Sequence, residues 1–171
     1  MSEHSNMLIA YGYVDSDWSG NVKTQKSLSG ICLMLGNATV ISKTLHQKTI
    51  ALSSTEVEFY ALSEAGKLTL YLRSILNEFG IPQHNEIVLY EDNQGCLFMA
   101  ESRKLTKRTR HVDICHFVIL DWVEQDLLNI KKINTSDNAA DCLTNPTGRT
   151  LFYCHTNTIM GRRAPVDKKI S

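Results

Sequence analysis

The sequence predicts an α/β fold on a mixed sheet, in which three antiparallel strands are followed by strands that alternate with helices. Three observations predict it. Short apolar runs bounded by turn residues open the chain, one long helix with a single apolar stripe follows, and the remainder alternates helical and strand periodicity. The resulting order is β-β-β-α-β-α-α-β-α, the pattern of sheet and helix layers around one core.

Residues 8–15 read as the first strand, with Tyr11, Tyr13 and Asp15 on one face, and DSDWSGN ends it in a cluster of turn formers. Residues 29–35 (SGICLML) form the second strand, and Gly36-Asn37 turns it into a third over residues 38–42. The long helix covers residues 53–79. Val57, Ala61, Ala65, Leu68, Leu72, Leu76 and Phe79 recur at steps of three and four, so one face must be buried. Ser53 with Glu56 three positions on is a capping-box pattern that fixes its start. Glu58 then falls on the shoulder of the apolar stripe, where a carboxylate is costly unless something positive meets it.

Gly80-Ile81-Pro82 stops the helix, residues 86–91 (EIVLYE) form a short strand running into Asp92-Asn93-Gln94-Gly95, and a helix opens over residues 96–100. A strand after a long helix returns by a right-handed crossover to pair in parallel with the first. Residues 110–125 carry helical spacing and residues 127–133 (LLNIKKI) return as a strand. Residues 135–144 begin a short helix capped by Ser136 or Asp137, and residues 149–159 form a last, weak helix. The expectation is one domain over residues 1–160 and a disordered basic tail over residues 161–171.

Lys+Arg and Asp+Glu number 18 each, so any preference for nucleic acid or membrane must be local. Cys32, Cys96, Cys115, Cys142 and Cys154 are odd in number, widely spaced and without CxxC, which argues against a disulfide framework and a zinc knuckle. His111, Asp113 and His116 match no zinc spacing. With no signal-peptide pattern and no run of eighteen apolar residues, the expectation is an intracellular protein, cytoplasmic or nuclear, neither secreted nor membrane-spanning.

Four acids stand where strands end or helices start. Asp15 closes the first strand, Asp92 follows the fourth, Glu58 opens the long helix and Asp141 lies on the short helix near the C-terminus. Parallel neighbours present their last residues on the same sheet edge, which would bring Asp15 and Asp92 within reach of one ion. Carboxylates that close repel one another unless divalent cations sit between them, and hard oxygen ligands suit Mg2+ or Mn2+. The bland alternative is that each acid is a solvated turn or cap residue.

The segments GYVDSDWSG, KSLSG, ALSSTEVEFYALSEA, YEDNQG, KRTRHVDI and NAADCLTNP occur in one order across residues 11–157. In these the chain resembles the ribonuclease H domain of copia-type LTR retrotransposon Pol polyproteins. The resemblance implies a ribonuclease H-like fold: a five-stranded mixed sheet, three antiparallel strands then two parallel, with helices on both faces. It also implies endonucleolytic hydrolysis of the RNA strand of RNA–DNA hybrids by two Mg2+ ions, for which Mn2+ may substitute. The catalytic and metal-binding acids it implies are Asp15 of YVDSD, Glu58 of STEVE, Asp92 of YEDNQ and Asp141 of NAAD. Their neighbours read otherwise: Asp17 falls in a turn past the strand, Glu56 is committed to the cap, Glu91 points to the opposite sheet face from Asp92, and Asp137 is an N-cap.

The basic run Arg103, Lys104, Lys107, Arg108 and Arg110 is expected to neutralise backbone phosphates, and Ser16, Asn93 and Gln94 to contact the 2′-hydroxyls that mark RNA. The partner expected beside such a domain is the reverse transcriptase of the parent polyprotein. Three departures from the family pattern stand out: Ser42 in place of a tryptophan, Asn145 in place of a lysine, and one residue fewer between HVDI and HF. A one-residue deletion rotates the rest of a helix by about 100°. These departures support a second expectation, a degenerate or co-opted RNase H-like module that binds nucleic acid without turnover.

Overall fold

A computed structural model describes residues 8–18, 27–47, 53–101 and 110–162. Strands β1 (Ala10–Asp17), β2 (Leu28–Leu35) and β3 (Ala38–His46) precede the helix α1 (Ser54–Glu78). Then come β4 (Ile87–Glu91), α2 (Gln94–Glu101), α3 (Arg110–Glu124) and β5 (Leu128–Lys132), and after two short 3-10 segments, Thr135–Asp137 and Ala139–Leu143, the helix α4 (Arg149–Ile159). The strands form one sheet in the order β3-β2-β1-β4-β5. β1 and β2 pair antiparallel, as do β2 and β3, while β1–β4 and β4–β5 are parallel. This is the three-antiparallel, two-parallel sheet expected from the sequence.

Alternation along each strand sends side chains to two cores. Val14, Ile31, Leu33, Ile87, Leu89 and Leu128 meet Phe59, Ala61, Leu62, Ala65 and Leu72 of α1 and Ile119 of α3 on one face. On the other, Tyr11, Tyr13, Cys32, Met34 and Tyr90 pack against Ala139, Ala140, Leu143 and Ile159. Helical segments therefore cover both faces. α1 begins where the capping pattern places it, because the Ser53 side chain accepts from Glu56 N at 3.2 Å. Its stripe is buried at Val57, Ala61, Ala65, Leu72 and Leu76. Phe79 is the exception: it is the C-cap residue and 77% exposed, because the stripe's periodicity ends with the helix. α3 buries Cys115, His116 and Ile119 and turns Ile114 and Phe117 outward, a continuous helical phase through the point of the expected deletion.

Other boundaries also move. β1 runs two residues further than expected, so Asp17 pairs with Leu28 in the sheet and does not lie in a turn beyond it. β3 continues to His46 because its pairing with β2 extends to Leu28. The cap of the segment that carries Asp141 is Asn138: its Oδ1 accepts from Ala140 N at 3.2 Å and its Nδ2 donates to Val14 O at 2.8 Å. Asp137 lies in the preceding 3-10 turn, and only Asn138 can cap the segment while also satisfying a carbonyl of β1. Of the tail expected to be disordered, Gly161 and Arg162 close α4, with Arg162 N donating to Asn157 O at 2.8 Å. The remaining tail residues lie outside the described ones. Among the described residues no disulfide joins the five cysteines. Among the described residues no helix is long and apolar enough to cross a membrane.

Candidate functional site

The carboxyl ends of β1 and β4 meet at one edge of the sheet, since the two strands are parallel neighbours. Asp15 lies near the end of β1 and Asp92 follows the last residue of β4. Glu58 enters from the first turns of α1. That turn is held down by Gln47, whose buried Nε2 donates both to Ser29 Oγ and to Val57 O at 2.9 Å. Asp141 arrives on the 3-10 helix Ala139–Leu143, on the Tyr11–Tyr13 face. Gly30, the partner of Asp15 in β2, makes room for it: a Cβ there would stand 2.9 Å from Thr144 Cγ2 and 3.0 Å from Ala140 O. A residue larger than glycine would push the Asp141 segment away from β1.

Asp15, Glu58 and Asp141 are buried and Asp92 is half-buried. Asp15, 4% exposed, is pushed up to about 6 by burial first, with Asp92, Asp141 and Asp17 adding to the rise against a hydrogen bond from Thr144. Glu58 is raised chiefly by burial and then by Asp15 and Asp92, while the Ser16 hydroxyl and the Asn93 side chain favour its ionised form. Glu91 is raised well above the ordinary carboxylate range by burial and by the charge of Glu58. The buried oxygens Glu58 Oε2 and Glu91 Oε2 have no hydrogen-bond partner.

Glu91 is the residue that sequence reasoning undervalued. Strand alternation places it on the α1 face with Leu89, and that face is where Glu58 comes down. It is fully buried, and its Oε1 accepts from Asp92 N at 3.1 Å and Asn93 N at 3.2 Å, fixing the turn that carries Asp92. Asn93 Oδ1 then accepts from Gly95 N and Cys96 N, which caps α2. A glutamate directly before Asp92 was visible in YEDNQ; the missing signal was what packs above it. His155 is also new: it is 1% exposed on α4, with Nε2 3.7 Å from Asp141 Oδ2.

Of the residues expected at the nucleic-acid interface, Ser16 faces Glu58, Asn93 serves the α2 cap, and Gln94 is exposed at the first residue of α2. Arg103, Lys104, Lys107 and Arg108 lie outside the described residues, and Arg110 opens α3 with its side chain outside them as well.

Carboxylate oxygens without partners are the donor chemistry of Mg2+ or Mn2+. Among the described residues no group of three or more His, Cys, Asp or Glu side chains is gathered to hold an ion. One oxygen of each of two acids accepts from the chain's own donors. Thr144 Oγ1 donates to Asp15 Oδ2, and Asn145 Nδ2 donates to Asp141 Oδ1 at 3.0 Å.

No family model matches the sequence. The chain is 33% identical over 144 residues to the retrovirus-related Pol polyprotein from transposon TNT 1-94 of Nicotiana tabacum, covering 84% of this chain and 11% of that protein. It is 29% identical over 160 residues to the corresponding polyprotein from transposon RE1 of Arabidopsis thaliana, covering 94% of this chain and again 11% of the relative. The chain thus spans about a tenth of the length of the curated relatives it matches. Among solved structures it is similar to LC11-RNase H1, isolated from compost, with a TM-score of 0.62 at 17% identity over 81% of this chain and 94% of that one. The same RNase H1 in complex with an RNA/DNA hybrid gives 0.56 at 17% identity, over 80% and 94%. By this sheet order and these relatives, the chain belongs to the RNase H-like domains of copia-type retroelement Pol polyproteins.

Proposed function

We propose that residues 1–160 act as an RNase H-like module that binds RNA–DNA hybrids at the sheet edge carrying Asp15, Glu58, Asp92 and Asp141, and that in this arrangement it binds without turnover. The observation that carries the reading is the state of those acids: they share one edge and one electrostatic environment, yet Thr144 and Asn145 engage the oxygens of Asp15 and Asp141. Support for the hybrid as ligand comes from the fold neighbour solved with an RNA/DNA hybrid. Gln94 at the exposed start of α2, Ser16 and Asn93 beside Glu58, and the basic run Arg103, Lys104, Lys107, Arg108 and Arg110 are the groups we assign to it. In a Pol polyprotein its neighbour would be the reverse transcriptase domain.

A second reading is hydrolysis of the RNA strand, with Asp15, Glu58, Asp92 and Asp141 holding two Mg2+ or Mn2+ ions. The unpartnered Glu58 Oε2 favours it, since a buried carboxylate oxygen is costly without a cation or donor. The experiment is fluorescence anisotropy and gel analysis of a labelled hybrid with the purified chain in EDTA, Mg2+ and Mn2+. Retention of intact hybrid in all three is the expected result. Cleavage in Mg2+ that is lost in Asp92→Asn would establish the second reading, and a chain that holds hybrid no better than a DNA duplex of the same sequence would end both.

A further inference from the structure

Two neutral side chains, Thr144 and Asn145, connect two of the acids that the ligand reading needs. Asn145 Nδ2 donates to Asp141 Oδ1 at 3.0 Å and to Thr144 Oγ1 at 3.3 Å, which uses both of its N–H groups. The Thr144 hydroxyl, having accepted from Asn145, has one proton to give and two acceptors within reach, Asp15 Oδ2 and the Asp141 carbonyl oxygen at 3.0 Å. The result is a hydrogen-bonded chain, Asp141–Asn145–Thr144–Asp15, that ties the 3-10 helix to β1 across 129 positions of sequence. Thr144 is buried, and its methyl group lies 2.9 Å from where a Cβ on Gly30 would stand. The hydroxyl is therefore held in place by packing from β2.

We propose that Thr144 and Asn145 form a clasp that occupies carboxylate oxygens of Asp15 and Asp141 and thereby sets this chain's affinity for divalent cations. Donors bonded to an ionised carboxylate stabilise it substantially, so a cation must displace them or share the oxygens with them. The asparagine amide divides its two donors between Asp141 and Thr144. The inference rests on the reading of Asp15 and Asp141 as cation-binding acids, and its test is kept separate from hybrid binding.

The full chain and the variants Thr144→Val, Asn145→Ala and Thr144→Ser are titrated with Mn2+ alone, and the free ion is followed by electron paramagnetic resonance. Valine keeps the shape of threonine and removes the donor, while serine keeps the donor. Thr144→Val and Asn145→Ala are each expected to tighten Mn2+ binding by about tenfold, the worth of one hydrogen bond to a charged group. Thr144→Ser is expected to bind as the parent does. Parent-like or weaker binding in both Thr144→Val and Asn145→Ala overturns the clasp, as does absence of Mn2+ binding in every form. Hybrid retention measured in EDTA reads the nucleic-acid function independently, so failure of the clasp and failure of that function give different results.

Discussion

Asp15→Asn should make the protein more stable near neutral pH while removing an acid from the site. In the fold the Asp15 carboxyl is raised from 3.8 to about 6, first by burial and then by the neighbouring acids. A shift of roughly two units at about 1.4 kcal/mol each corresponds to about 3 kcal/mol. The sign follows from the direction of the shift. A group whose folded value lies above its unfolded value contributes fully below about 4, where both states are protonated, and loses that contribution as pH rises through about 6. Glu58 and Glu91 are raised as well and act in the same direction, so the fall continues above 6. Asparagine does not titrate, and its side-chain oxygen can still accept from Thr144. At pH values above 6, Asp15→Asn is therefore expected to gain about 2–3 kcal/mol, or roughly 4–10 °C in a chain of this length. Urea and thermal melts of both proteins in EDTA, stepped from acid to mildly alkaline pH, measure it. Parent stability that climbs over that range, or a variant less stable than the parent at its alkaline end, would refute the reasoning.

Three further outcomes concern what places the site. Asn138→Ala removes the cap on Ala140 N and leaves the Val14 carbonyl unsatisfied, a loss of about 2–4 kcal/mol readable by urea denaturation. Gly30→Ala forces Thr144 and Ala140 off β2; about 1–3 kcal/mol of stability should go, and the tryptic cleavage rate around residues 139–145 should rise. Gly66→Ala drives a Cβ into the Trp122 ring, so it should shift Trp122 fluorescence and cost about 1–3 kcal/mol while leaving hybrid retention at the far sheet edge as in the parent.

Much of this was legible in order and periodicity. The strand after the long helix announced a parallel return to β1, and the stripe of α1 with its Ser53 cap put Glu58 at the core margin, where it is 6% exposed. What could not be read were contacts between residues distant in the chain. Strand alternation says which face Glu91 takes, but only the descent of α1 onto that face brings Glu58 against it. Ser136 and Asp137 fit a helix start by residue type, but the carbonyl of Val14 selects Asn138. The link from Thr144 to Asp15 spans β1 and the 3-10 helix and leaves no periodic trace.

The parallel pairing of β1 with β4 joins Tyr11–Tyr13 to Val88–Tyr90 over a loop that includes two strands and a 25-residue helix. Pairings so remote in sequence form late and slowly, since chain entropy is lost before they repay it. A copy of the gene cut short before residue 87 would retain the β1–β3 meander and α1, yet leave the flank of β1 open along its hydrogen-bonding edge. Such a remnant offers a template for aggregation. Truncated insertions of this element are thus expected to yield insoluble product rather than a smaller working domain.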